Sequence, residues 1–211
     1  MITVWIGYDK QFADNIPVLT KSISKFARTV NIRFLHLEKI KELTRPRDPN
    51  QTTDSAFTRW MIPYLANYKG WHLYLDSDMM VCDSLDKLWS LRDDSKAVMV
   101  VKHNKIHNTV SKFNGMPQLD YSRKNWSSVI LFNADQCKTL TPDYVNTAHG
   151  LDLHQFKWLD DSLIGEIPSR WNHLVGVDQP NTDPGIVHWT LGGPWFKEYA
   201  DVEHSETWRS F

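Results

Sequence analysis

The chain has 211 residues with a formal net charge of -1, 41% hydrophobic and 23% charged, which suits one globular domain and leaves no electrostatic footprint for nucleic acid. Cys82 and Cys137 are too few for a disulfide framework, and no window reaches the ~18 consecutive apolar residues of a membrane span. Met1 leads at once into a strand-like run without the basic and apolar regions of a leader peptide, so the expectation is a soluble, cytoplasmic protein.

"ITVWIGY" (2–8) is β-branched and aromatic and reads as a buried first strand, with Asp9 opening a loop. Pro17 suits the first turn of a helix reaching about Phe26, with Leu19, Ile23 and Phe26 on one face. "NIRFLHL" (31–37) alternates and reads as a second strand. The polar stretch "TRPRDPNQTTDS" (44–55) has no periodicity, and a loop of that length in a compact domain is expected to be functional.

Phe57, Trp60, Met61, Tyr64, Leu65 and Tyr68 follow the spacing of a core-facing helix, interrupted at Pro63. Arg59 falls on the opposite side and is expected to point away from the core. Beyond Gly70, "WHLYL" (71–75) reads as a short strand, as do "AVMVV" (97–101), "SVILF" (128–132) and "GIVHW" (185–189). Helices are expected near 85–91 and 141–149. Strands alternating with helices predict an α/β domain with a mostly parallel sheet. The ten tryptophans favour core packing over sugar stacking.

The informative stretch is "YLDSDMMV" (74–81), where a buried strand ends in two aspartates one residue apart. Ligands of such sheets bind beyond the carboxyl ends of the strands. Residues i and i+2 of an extended segment point the same way, so Asp76 and Asp78 can face one ligand. Two hard oxygen donors suit Mg²⁺ or Mn²⁺ completing its shell with phosphate oxygens and water. A strand-end turn is the plainer reading of the same pair.

"SAFTRWMIPYLANYKGWHLYLDSDMMV" (55–81) resembles the core of retaining family 8 glycosyltransferases of the GT-A fold, a group that includes glycogenin and bacterial lipopolysaccharide galactosyl- and glucosyltransferases. "NWSSVILFN" (125–133), "LDDSLIGEIPSRWN" (159–172) and "IVHWTLGGPW" (186–195) are similar to later motifs of that family, in the same order. The resemblance implies a single Rossmann-like GT-A domain, its central sheet mostly parallel and flanked by helices. A nucleotide-binding half would span about 1–101 and an acceptor-side half about 102–211, in a chain that could stand alone or be one domain of a longer protein.

It further implies transfer of a hexose-type sugar from a nucleotide-diphospho-sugar, UDP-linked by preference, to a glycan or glycoconjugate acceptor with retention of configuration. Asp76, Asp78 and His188 would hold Mn²⁺ or Mg²⁺. Tyr8 and Asp9 would meet the base, Arg59 would clamp the donor sugar or diphosphate, and Ser77 and Gly192 would line the nucleotide-sugar site. Asp160 and Asp161 would face the donor sugar and acceptor. Retention would proceed by same-face attack or through a covalent intermediate on a carboxylate such as Asp160.

The chain departs from the family pattern at three places. Gly193 replaces the closing lysine, for which Lys197 could compensate. Asp160 replaces a glutamine, and Ser127-Ser128 replaces Ser-Gly. Other constellations carry less chemistry. His103 and His107 lack the glutamate of a metalloprotease helix and read as a polar loop on the acceptor side. "HGLDLH" (149–154) reads as a loop without recognisable chemistry. The rival classes are a haloacid-dehalogenase-like phosphatase, whose aspartate strand would normally come first in the chain, and a non-catalytic sugar-binding module.

Overall fold

In the computed structural model, which describes residues 1–48, 51–104 and 121–211, the β-branched run at the start becomes β1 (Ile2–Gly7). It lies between β2 (Val30–Leu35) and β3 (Trp71–Asp76) and is parallel to both. The chain then forms β4 (Met79–Val81), β5 (Val98–Val100), β6 (Val129–Asn133), β7 (Ile164–Glu166), β8 (His173–Leu174) and β9 (Ile186–His188). Six of these make one sheet in the order β2-β1-β3-β6-β5-β7, and β4-β9-β8 make a second. Among the described strands of the larger sheet only β6 runs against its neighbours, so the expected mostly parallel sheet is present. Because β6 and β7 join β1–β3 and β5, residues from both expected halves share it.

Period-two alternation decides the layering. Ile2, Val4, Ile6, Leu73, Leu75, Val129 and Leu131 face one side, against Leu19 and Ile23 of α1 (Ile16–Lys25) and Leu85 and Leu88 of α4 (Leu85–Trp89). Trp5, Tyr74, Ile130 and Phe132 face the other. There they meet α2 (Ser55–Thr58), α3 (Ile62–Leu65), α5 (Pro142–Thr147) and α6 (Gly150–His154). Trp60 is fully buried on this side, edge-on to Phe132, Phe156 and Trp158. Burial of one such side chain stabilises the fold by ~1.5–3 kcal/mol. Indoles therefore serve the core, as their number suggested.

The single helix expected over 57–68 is instead three short pieces: α2, a 3-10 turn over Arg59–Met61, and α3. Pro63 sits in the first turn of α3, where its missing N–H costs no hydrogen bond. Asn67 and Tyr68 adopt left-handed backbone with φ 52 each, so Tyr68, the last residue of the periodic pattern, lies beyond the helix. "HGLDLH" is also not a loop. It forms α6, whose first turn is capped by the His149 side chain accepting from the Leu151 amide. Histidine is absent from the usual capping residues, and a helix this short has no periodicity to detect.

Asn15, at the start of α1, is wholly buried and fixes the junction between the sheets. Its amide nitrogen donates to the carbonyls of Ser77 at 2.8 Å and Met79 at 2.9 Å. Its carbonyl accepts from the Trp208 indole at 2.7 Å, which ties α7 (Ser205–Arg209) to the same point. Among the described residues no helix is long and apolar enough to cross a membrane.

Candidate active site

Asp76 and Asp78 sit where the chain leaves one sheet and enters the other. The Asp76 amide donates to the Ser128 carbonyl beside β6, whereas the Asp78 carbonyl accepts from the Trp189 amide beyond β9. His188 closes β9 opposite Met79. One potential ligand atom from each of Asp76, Asp78 and His188 falls within a 4.8 Å cluster. The expected metal triad is thus gathered in space from residues more than a hundred positions apart.

The His188 ring is held from behind. Asn172, fully buried, donates its amide N–H to the Asn125 carbonyl at 3.1 Å. That fixes Asn172 Oδ1 as the acceptor facing His188 Nδ1 at 2.9 Å. With Nδ1 donating to Asn172, Nε2 is the nitrogen that faces Asp78 Oδ1, 3.4 Å away. This is the outer-shell arrangement that orients a metal-binding imidazole. In the sequence Asn172 is only the last residue of "LDDSLIGEIPSRWN", and nothing there marks it as a partner of His188.

Arg59 is buried, not outward. Its guanidinium pairs with Asp76 Oδ1 at 2.8 Å and donates to the carbonyls of Ser55 at 3.2 Å and Ser127 at 2.6 Å. The helical-wheel estimate failed because α2 gives way to a 3-10 turn at this residue, and because the side chain turns toward the carboxylate. Burial opposes its charge, but Asp76, with Tyr74 and Tyr121, more than restores it, so its pKa is raised. The Tyr74 hydroxyl donates to Asp76 Oδ1 at 2.6 Å, and burial raises the phenol's pKa well above its ordinary value. A Cβ on Gly7 would overlap that hydroxyl and the Ser55 side chain. The bare glycine backbone at the end of β1 is what lets Tyr74 reach Asp76.

These groups open onto a cavity of about 240 Å³. Asp76, Ser77, Asp78, His188 and Thr190 form one wall, with Arg59, Lys124 and Ser127 beside them. Asp48, Gln51, Thr52 and Thr53 of the long polar loop form another. The third comes from His149, Gly150, Leu151 and His154, the stretch whose sequence suggested no chemistry. His154 Nδ1 meets Ser127 Oγ at 2.8 Å. Burial, then the nearby Arg59 and Arg45 charges, push the His154 pKa down to about 3, so the imidazole is neutral.

Other expected residues lie outside this lining. Tyr8 packs against His36, the two rings tilted by 36° with centroids 4.3 Å apart. Both Asp9 oxygens are engaged by backbone amides, of Gln11 at 2.8 Å and Asp54 at 2.7 Å, so Asp9 anchors the polar loop. Gly192 is buried with φ 144, and Lys197 is exposed. Asp160 is exposed and accepts from Ser162, while Asp161 forms a two-oxygen pair with Arg123, next in the chain to Lys124 of the cavity wall. His103 lines a separate cleft with His173, and His107 lies outside the described residues.

Comparisons with known proteins agree with this architecture. The chain is 40% identical over 216 residues to Protein CDI of Arabidopsis thaliana, a match covering 97% of this chain and 83% of that protein. The bifunctional glycosyltransferase WbbM is similar in structure, with a TM-score of 0.68, 16% identity, and coverage of 99% of this chain but 49% of its own. The glycosyltransferase GlyE of Streptococcus pneumoniae has a TM-score of 0.67 and 16% identity, over 99% of this chain and 59% of its own. The chain therefore spans about half to three-fifths of those two proteins. The galactosyltransferase LgtC, solved with donor and acceptor sugar analogs, has a TM-score of 0.62 and 13% identity, over 99% of this chain and 94% of its own. The model of the family described as glycosyl transferase family 8 matches residues 3–197, which removes the phosphatase and the sugar-binding module as readings. The chain belongs to glycosyl transferase family 8 and has the GT-A fold of a glycosyltransferase.

Proposed function

We propose that this family 8 glycosyltransferase is metal-dependent and retaining, and that it moves a hexose-type sugar from a nucleotide-diphospho-sugar, UDP-linked by preference, to a glycan or glycoconjugate acceptor. The observation that carries the proposal is the gathering of Asp76, Asp78 and His188 within 4.8 Å at the cavity wall. Two carboxylates and one imidazole fit a divalent ion such as Mn²⁺ better than Mg²⁺. Bound there, the ion supplies Lewis-acid stabilisation of the charge that builds on the departing diphosphate.

The chain's own groups do the remaining work. Arg59 and Tyr74 hold Asp76 in one orientation, and Asn15 clamps the backbone on both sides of Asp78. Arg59 then acts first as the counter-ion of Asp76 and only secondarily as a donor clamp. Lys124 adds positive charge at the cavity wall where a diphosphate would lie. The polar loop, anchored through Asp9, excludes water from the donor so that transfer outruns hydrolysis. Asp161, through Arg123, braces the acceptor-side wall. Retention by same-face attack is favoured over a covalent intermediate, because the lining carboxylates include Asp48, Asp76 and Asp78 but not Asp160.

Calorimetric titration of UDP, GDP, CDP and ADP, each with and without Mn²⁺, tests the reading. One nucleotide should bind tightly only when Mn²⁺ is present. Absence of binding in every condition would overturn the nucleotide-sugar assignment.

A further inference from the structure

A second cluster of metal-type ligands stands apart from the cavity, at the other sheet position next to Asn172. His173 opens β8 with its side chain 3% exposed, and its Nε2 lies 3.1 Å from Glu203 Oε1. His204 Nε2 lies 3.1 Å from the same oxygen. One potential ligand atom from each of His173, Glu203 and His204 falls within 4.8 Å of the other two. Around a tetrahedral Zn²⁺ with bonds of ~2.0–2.1 Å, neighbouring ligand atoms stand roughly 3.3 Å apart, close to these separations.

His173 Nε2 is within hydrogen-bond distance of the carboxylate, but His204 Nε2 does not have the alignment of a hydrogen bond to it. His204 Nε2 is buried and has no hydrogen-bond partner among the described residues, although the carboxylate oxygen is beside it. The Asn181 backbone and the Glu203 side chain both act on the same ring, and Glu203 Oε1 also accepts from the Asn181 amide at 2.9 Å. A divalent cation between His204 Nε2 and the carboxylate would give both groups a partner. Asp178 Oδ2 lies 3.8 Å from His173 Nδ1, on the side where a metal-bound imidazole takes its carboxylate partner. An open cleft lined by Glu166, Asp178 and Asn181 has His173 in its wall and offers an entry path on that side.

We propose that His173, Glu203 and His204 form a second divalent-metal site, of the zinc class, that fastens the C-terminal segment onto the small sheet. Two imidazoles and one carboxylate are a zinc-type donor set with a fourth position open to water. Glu203 and His204 lie beyond residues 3–197, the span matched by the family. The site would brace the catalytic wall indirectly. The Glu203 carbonyl accepts from the Trp189 indole at 3.0 Å, next to His188, and His173 follows Asn172.

The test uses the full chain, freed of metal by a chelator and carrying Asp78→Asn so that the cavity triad does not report. Zn²⁺ alone is titrated calorimetrically, and melting is followed in parallel. The expected result is one equivalent bound with a rise in melting temperature, and at least tenfold weaker binding when His204→Asn is added. Asparagine is chosen because it tolerates the left-handed backbone of His204, φ 65. Glu203→Gln, which keeps the side-chain shape, should weaken Zn²⁺ binding similarly, and Co²⁺ should show a ligand-field absorption that disappears in either variant. No Zn²⁺ uptake by the Asp78→Asn protein would overturn the site. So would an isotherm that His204→Asn and Glu203→Gln both leave unchanged.

Discussion

The two sheets of this protein differ in how they are specified. The six-stranded sheet is built from apolar runs whose alternation assigns every side chain to one face or the other, and its helices pack on both sides. The three-stranded sheet has strands of two and three residues, and its register joins Met79–Val81 to Ile186–His188 across the length of the domain. The large sheet therefore supplies stability, and the small one supplies geometry. Asp76 belongs to the first and His188 to the second, so the candidate metal site straddles the seam.

The sharpest break in that division is expected at Arg59. Replacing it with methionine leaves the Asp76 carboxylate half-buried without its cation, which should cost about 3–5 kcal/mol of stability. The second change Asp76→Leu should recover much of that loss in denaturant unfolding, while Mn²⁺-dependent turnover stays absent. If Arg59→Met melts like the parent protein, Arg59 is not the counter-ion. Asp78→Asn is expected to separate the two sheets in the opposite sense. Turnover should fall by roughly 10²–10³-fold, the scale of losing one charge-stabilising group, with little change in melting. Near-normal transfer by this variant would remove Asp78 from the metal set.

The contrast also explains what could be read from the residues alone. Strands β1, β3, β5 and β6 were legible because each buries a continuous apolar run between helices. The gathering of Asp76, Asp78 and His188 was legible through the motif resemblance, which names all three residues. Asn15 and Asn172 were not, because a buried asparagine acquires its role only from carbonyls that tertiary structure brings to it. Arg59 was misdirected for a local reason: a change from α to 3-10 geometry moves a side chain off the wheel that periodicity assumes. The stretch 149–154 was passed over because its cap is a histidine and its helix is five residues long over 150–154.

Asn172 offers a finer probe of the seam. Asn172→Ala removes the acceptor that keeps the proton on His188 Nδ1, without touching any proposed ligand. Mn²⁺ affinity should fall by about 10–100-fold, the usual penalty for losing an outer-shell partner. Asn172→Asp retains an acceptor and should restore part of the affinity in the same titration. Equal Mn²⁺ affinity in Asn172→Ala and the parent protein would mean that the ring is oriented by packing alone.

The smallest effect expected is a pH dependence written into the large-sheet side of the cavity. His154 has a folded pKa of about 3, against 6.5 for an unburied histidine. Because the folded value is the lower one, the unfolded chain takes up the proton first as pH falls. Stability from this group is complete above pH 6.5, declines through the window from 6.5 to about 3, and changes no further below it. The decline cannot exceed ~1.4 kcal/mol per pH unit. Carboxylates titrate mainly below this range, so the measurement belongs between about pH 5 and 6.5. His72 and His204 are also lowered, chiefly by burial, and contribute slopes of the same sign. His154→Gln should therefore flatten the curve of unfolding free energy against pH without abolishing its slope. It should also lower stability at pH 7, where the Ser127 hydroxyl loses its imidazole partner. A parent and variant with parallel curves from pH 5 to 6.5 would show that His154 takes up its proton in the folded protein as readily as in the unfolded one. The burial-lowered pKa of the imidazole at the cavity wall would then have to be abandoned.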